Sequence, residues 1–175
     1  MELTIRPVTL ADVPAIHAIY SNSVLTYTAS WELAPPTEDE MRRRVQAILD
    51  QGFPYFVGLL EQNLVGYTYA STYRPRPGYR FTVEDSIYVD PAYQRRGIAR
   101  QLLTTLIDAC TAKGFRQMIA VIGDSDNVAS ISLHRDLGFE QAGLFRNIGF
   151  KFDRWLDGVY MQRALGDGAR SKPQD

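Results

Sequence analysis

The run Gln94-Arg95-Arg96-Gly97-Ile98-Ala99 joins a glycine, two guanidinium groups and the start of an apolar-striped segment, and it reads as a site for an anion. Glycine lets the backbone turn sharply and come close to a ligand. The helix predicted to follow carries Ala99, Leu102, Leu103, Leu106, Ile107 and Cys110 at helical spacing, with Arg100, Thr104, Thr105 and Asp108 opposite. Its first amide N–H groups lack partners and point past the N-terminus, where the helix dipole and the arginines favour negative charge. Phosphate or pyrophosphate binding is the chemistry of such a turn. A solvated helix start can have the same residues, and neither a Walker-type Gly-x4-Gly-Lys-Ser/Thr loop nor a Gly-x-Gly-x-x-Gly fingerprint is present.

A second group lies just upstream. In the predicted strand over 81–89 side chains alternate, so Glu84, Ser86 and Tyr88 share one face while Val83, Asp85, Ile87 and Val89 share the other. Glu84 on a polar face is either a solvent-facing or salt-bridged carboxylate or a general base. Arg74 and Arg76 flank a proline in the loop before it. Their guanidinium forks suit an anionic ligand bidentately, and solvation is their ordinary fate. Asn127 has the type and position of a helix N-cap, and His134, on the helix it would start, is either a packed side chain or a proton donor.

The elements that must position these residues are legible as periodicities. Strands are predicted over 3–6, 55–60, 64–73, 81–89, 118–122, 144–152 and 156–165. Helices are predicted from Thr9 with Val13, Ile16, Ile19 and Tyr20 inward, from Thr37 with Met41, Val45, Ile48 and Leu49 inward, from Ile98, and over 127–137 with Gly138 as a left-handed cap. Trp31 and Glu32 fall in a loop over 25–35, and the prolines of Arg74-Pro75-Arg76-Pro77-Gly78 break a strand into a protruding loop. Alternating strands and helices with hairpins at both ends predict an α/β fold with a mixed sheet in a single domain over 1–165. The polar stretch 166–175 is expected to fray.

Composition bounds the partners. At 175 residues and 45% hydrophobic, the chain is long enough for one core burying roughly two-thirds of its unfolded surface. Nineteen basic against twenty acidic side chains, a net charge of −1, argue against a non-specific nucleic-acid binder, so local positive charge must serve a local anion. The start Met1-Glu2-Leu3-Thr4-Ile5-Arg6 has no cationic region followed by an apolar run, and nothing approaches the ~20 apolar residues of a span, so a cytoplasmic protein without membrane attachment is expected. Two histidines without a Cys or carboxylate cluster predict no metal. The lone Cys110, on an apolar stripe, reads as a small buried hydrophobe rather than an acyl-carrying nucleophile.

The turn at Gln94–Ala99 resembles motif A of the GCN5-related N-acetyltransferases, a Gln/Arg-x-x-Gly-x-Gly/Ala loop that holds the pyrophosphate of acetyl-CoA, with Ala99 in place of the second glycine. Val89-Asp90-Pro91, Asn127, Ser130, Leu133-His134 and Leu137-Gly138-Phe139 stand where that superfamily has its other acetyl-CoA segments. Thr82-Val83-Glu84 running into Ser86-Ile87-Tyr88-Val89, then Ala120-Val121-Ile122-Gly123, Gly149-Phe150-Lys151, Trp155-x-Asp157 and Met161-Gln162, is similar to the phosphinothricin and methionine sulfoximine acetyltransferase family. The resemblance covers all but the tail after Gly166.

That resemblance implies a mostly antiparallel central sheet with flanking helices, and a cytoplasmic homodimer. It also implies acetyl transfer from acetyl-CoA, the co-substrate, to the α-amine of a small amino-acid analogue. Acetyl-CoA would be bound by Ile87, Tyr88, Val89, Gln94, Arg95, Arg96, Gly97, Ile98, Ala99, Asn127 and Ser130, with its pantetheine arm lying along the strand like an added strand. Glu84 would be general base, and His134, where the superfamily commonly has a tyrosine, would protonate the leaving thiolate. Arg74, Arg76, Tyr79 and Trp31 would hold the acceptor. Other amines, such as a peptide N-terminus, a polyamine or an aminoglycoside, would keep the cofactor and change the acceptor; a CoA-binding regulatory module would do no chemistry.

Overall fold

The computed structural model describes residues 2–173. Strands β1 (Leu3–Pro7), β2 (Tyr55–Leu60), β3 (Asn63–Thr72), β4 (Thr82–Val89), β5 (Gln117–Gly123), β6 (Glu140–Lys151) and β7 (Arg154–Ala164) form one sheet in the order β1-β2-β3-β4-β5-β7-β6. Every neighbouring pair is antiparallel except β4 and β5. Helices α1 (Val13–Thr26) and α2 (Glu38–Asp50) cover one face, packing Val13, Ile16, Met41 and Val45 on Tyr55, Val57 and Tyr67. On the other face, α3 (Ile98–Ala112) and α4 (Val128–Asp136) pack Leu103, Leu106, Ile107, Cys110 and Ile131 on Val83, Met118 and Ala120.

Local chemistry sets most boundaries. Thr37 caps α2 by accepting from the Glu40 N–H, with three acids in the first turn to meet the dipole. Asn127 caps α4 by accepting from the Ser130 N–H. Gly138 takes a φ of 83° after α4, and Phe139, only 2% exposed, donates back through its N–H to the His134 carbonyl. The helix predicted from Thr9 opens with a 3-10 turn over Leu10–Asp12 that runs into α1, and Thr9 is its N-cap in a capping box where the Asp12 carboxylate accepts from the Thr9 N–H. Strand β6 starts at Glu140 rather than 144: its polar opening has no apolar alternation to announce it, and pairing with β7 supplies the ladder.

Gly168 is buried and accepts from Arg116, whose guanidinium also donates to Ser171 and to the Lys172 carbonyl. Met1, Gln174 and Asp175 lie outside the described residues. Among the described residues no helix is long and apolar enough to cross a membrane.

The site follows from one irregularity. Parallel pairing of β4 with β5 stops after Thr82, Val83 and Glu84 face Gln117, Met118 and Ile119, and beyond that register the two strands splay. The β5-side edge of β4 is therefore unpaired over 85–89, and residues from both faces of the sheet meet in the gap.

Candidate active site

Two recesses meet at the splay. A groove of about 690 Å³ runs along the free edge of β4 to the N-terminus of α3, and a smaller cavity of about 350 Å³ lies between β4, β5 and the loop after α1. They share Ala29, Ile87, Tyr88, Asn127 and Ser130 as a common wall. A bisubstrate reaction needs this: two binding spaces whose contents touch at one point.

The groove is built largely from the turn singled out in the sequence. Gly97 is the N-cap residue of α3 with a φ of 76°, a conformation that glycine adopts without cost, and Arg95 is also left-handed at 60°. The turn so formed leaves the first N–H groups of α3 facing the groove. Gln94, Arg95, Gly97, Ile98 and Ala99 line it, as do Ile87, Tyr88, Val89, Asn127 and Ser130. Arg96 does not: its guanidinium lies 5.3 Å from the Tyr93 ring centroid and donates to the Ala92 carbonyl.

The cavity draws on separate elements. Glu84 enters from the α1/α2 face of β4, and among the described residues no hydrogen bond or ion pair holds its carboxylate. Burial, with the Asp85 charge adding to it and the Arg74 charge opposing, pushes its pKa up to about 7. Across the cavity Arg44 forks onto Glu32 at 2.8 and 3.1 Å, and the Tyr20 hydroxyl donates to Glu32 at 2.7 Å. Hydrogen bonding from Arg44 outweighs burial and holds the Glu32 carboxyl below the usual range.

The loop carrying Glu32 is strapped down. Lys151, only 4% exposed, donates to the Tyr27 and Ser30 carbonyls at 2.9 and 2.7 Å, and Thr28 donates to the Gly123 carbonyl. Trp31 lines the cavity and lies against Gly149 of β6, where a Cβ would come within 2.1 Å of its ring. Only glycine there leaves room for the indole.

From the α3/α4 face comes a buried pair. His134 Nε2 lies 3.1 Å from Asp85 Oδ2, and the two side chains are 3% and 2% exposed. His134 Nδ1 lies 2.7 Å from the Ser130 carbonyl and 3.4 Å from the Ser130 hydroxyl. Burial opposes the imidazolium, but the hydrogen bond and charge of Asp85, with the Ser130 carbonyl, outweigh it and raise the His134 pKa.

The structure therefore brings Glu84, His134 and Trp31 together with ten of the eleven residues expected at the cofactor. Arg76 and Tyr79 lie on the exposed loop and line neither recess; Arg74 is exposed too, beside Tyr73, but its charge reaches Glu84. Sequence reasoning missed Tyr20, Glu32, Arg44 and Asp85 as wall residues. Asp85 alone left a signal, an acid in register with Val83, Ile87 and Val89 on an apolar face, where burial demands a partner.

Comparison with known proteins gives this geometry a class. Residues 16–139 match the family model described as Acetyltransferase (GNAT) family, and the chain belongs to that family. It is 50% identical over 171 residues to a phosphinothricin N-acetyltransferase of Alcaligenes faecalis, covering 98% of this chain and 87% of that one. It is 40% identical to an L-methionine sulfoximine/L-methionine sulfone acetyltransferase of Pseudomonas aeruginosa, covering 99% and 100%. A crystal structure of a phosphinothricin acetyltransferase from Sinorhizobium meliloti in complex with AcCoA superposes with a TM-score of 0.97 at 49% identity, covering 100% of this chain and 95% of that one. The protein is an acetyltransferase.

Proposed function

We propose that this chain transfers the acetyl group of acetyl-CoA directly to the α-amine of a small amino-acid analogue of the phosphinothricin or methionine sulfoximine kind. The observation that carries this reading is the shared wall, with an anion-binding helix start at one end of the groove and an unpaired carboxylate in the adjoining cavity. Glu84 accepts the amine proton, directly or through water; a base with a pKa of about 7 is far better matched to that task than an ordinary carboxylate. Main-chain N–H groups on the free edge of β4 near Tyr88 and Val89 meet the carbonyl oxygen as it gains charge. His134 is the proton source for the departing thiolate, and no acyl-enzyme forms: Cys110 is buried, and burial with the Asp85 charge raises its thiol to about 12.

Trp31 forms the apolar wall for the acceptor side chain, with Arg74, Arg76 and Tyr79 at the rim. We further propose a cytoplasmic homodimer. The β6–β7 hairpin supports the dimer, exposing Ile148, Phe150, Phe152 and Trp155 at 52%, 51%, 48% and 61%, an apolar patch that a second copy would cover. Acetyl-CoA-dependent thiol release, measured over amino-acid analogues, peptides, polyamines and aminoglycosides, tests the acceptor. Turnover of polyamines in preference to methionine sulfoximine would overturn it, and a monomer by light scattering would overturn the dimer.

A further inference from the structure

The Asp85–His134 pair has a feature that packing does not require. Both ring nitrogens of His134 face acceptors, Nδ1 the Ser130 carbonyl at 2.7 Å and Nε2 the Asp85 carboxylate at 3.1 Å. With Asp85 ionised, a neutral imidazole, which carries one N–H, would set a lone pair against an oxygen, and the imidazolium satisfies both contacts. Asp85 is placed for this and little else: its Oδ2 meets His134, and its Oδ1 is buried without a partner. The other titratable groups packed around the pair are Glu84 on β4 and the Cys110 thiol on α3, both feeling the Asp85 charge; next on α4, Arg135 is exposed and Asp136 pairs with Arg100 at the surface. Phe139 closes the remaining side edge-on, 5.0 Å between centroids.

The ring reaches the groove through Ser130. Ser130 Oγ lies 3.4 Å from Nδ1, and Ser130 lines both the groove and the cavity, whereas His134 lines the cavity alone. Resting on the acetyl-transfer reading above, we propose that Asp85 is a positioning residue that keeps His134 doubly protonated, and that the stored proton leaves through the Ser130 hydroxyl to the departing thiolate. The Ser130 O–H bond breaks as the S–H bond forms. Ser130 Oγ takes the Nδ1 proton, and His134 is left neutral with Nε2–H still on Asp85. Solvent then returns one proton to Nδ1 and removes the one Glu84 took from the amine, which balances for an acceptor that enters as the free amine; one that enters as the ammonium gives up one further proton to solvent.

The chain has two histidines, so the His134 ring protons are assignable by their loss in His134→Gln, and their titration by NMR needs neither substrate. The expected midpoint lies above the usual ~6.5 and falls by about one to three pH units in Asp85→Asn. The alkaline limb of the single-turnover transfer rate falls with it. Ser130→Ala, which keeps the backbone carbonyl, leaves the midpoint in place and slows single-turnover transfer about tenfold or more. If Asp85→Asn does not fold, the wild-type midpoint and Ser130→Ala still decide. A wild-type midpoint at or below 6.5, an alkaline limb indifferent to Asp85→Asn, or a wild-type rate in Ser130→Ala overturns the proposal alone. An Asp85-dependent midpoint in a protein that acetylates no amine overturns the functional reading instead, and the outlet to a thiolate falls with it.

Discussion

The long groove and the cavity share a wall yet are assembled in opposite ways. One stretch, from Ile87 to Arg100, contributes about half the groove's lining, with much of the rest from the start of α4 and the loop after α1. The cavity takes Tyr20 from α1, Glu32 from the following loop, Arg44 from α2, Glu84 and Asp85 from β4, Val121 from β5 and His134 from α4. A ligand common to a large family can be held by one turn whose backbone does the binding. An acceptor in the cavity, as proposed, would be enclosed by side chains that the whole fold must bring together, and those can change one at a time.

Glu84→Gln gives the largest expected effect, because it removes the proposed proton acceptor and keeps the shape. The value of kcat should fall by roughly 10²- to 10⁴-fold, while thermal stabilisation by acetyl-CoA is retained. In the wild type, kcat/KM for the acceptor should rise with pH through about 7, since the base works only when deprotonated and burial raises its pKa to that value. A variant that loses cofactor binding as well would break the separation between the two recesses.

Gly97→Val strikes the other side. Nothing lies within 4 Å of a Cβ at Gly97, so the cost comes from its φ of 76°, about 1–3 kcal/mol for a residue that is not glycine. Tens-fold weaker acetyl-CoA binding is expected, read as lost thermal stabilisation, with little change in acceptor KM. Next in size comes Arg74→Ala, at about tenfold in kcat/KM with methionine sulfoximine. Arg74 lowers the Glu84 pKa, so its loss should also move the acid limb to higher pH. Arg76, farther out on the same loop, should change kcat/KM by under about threefold. Equal effects of the two arginines would mean that the loop folds over the cavity when the acceptor binds.

How much of this was legible in the sequence follows the same division. The mixed sheet, the α3 stripe, the Gly138 cap and the turn at Gln94–Ala99 were readable because each is encoded over a few neighbouring residues. Arg44 was not: it stands on the polar face of α2, and only the fold of the loop after α1 brings Glu32 to it. Trp31 was placed at the acceptor by resemblance, but its seat depends on Gly149, 118 residues later, having no side chain. Arg74, Arg76 and Tyr79, close to Glu84 in sequence, lie outside the cavity because Pro75 and Pro77 carry the loop away from the strand. Nearness along the chain goes with a shared lining in the groove and not in the cavity.

The smallest expected difference tests that rule within the groove itself. Arg95 and Arg96 are adjacent, both exposed and both inside the motif, and by sequence they are equivalent anion partners. In the structure Arg95 lines the groove while Arg96 lies beside Tyr93 with its guanidinium donating to Ala92. An exposed charged contact is worth up to about 1 kcal/mol, or about fivefold. Arg95→Ala should therefore raise the acetyl-CoA KM by about fivefold, an effect that shrinks with added salt because the contact is screened. Arg96→Ala should leave that KM within about twofold at any ionic strength. If the two variants weaken acetyl-CoA equally, Arg96 swings off Tyr93 to reach the cofactor, and the turn binds through both of its arginines as its sequence alone predicts.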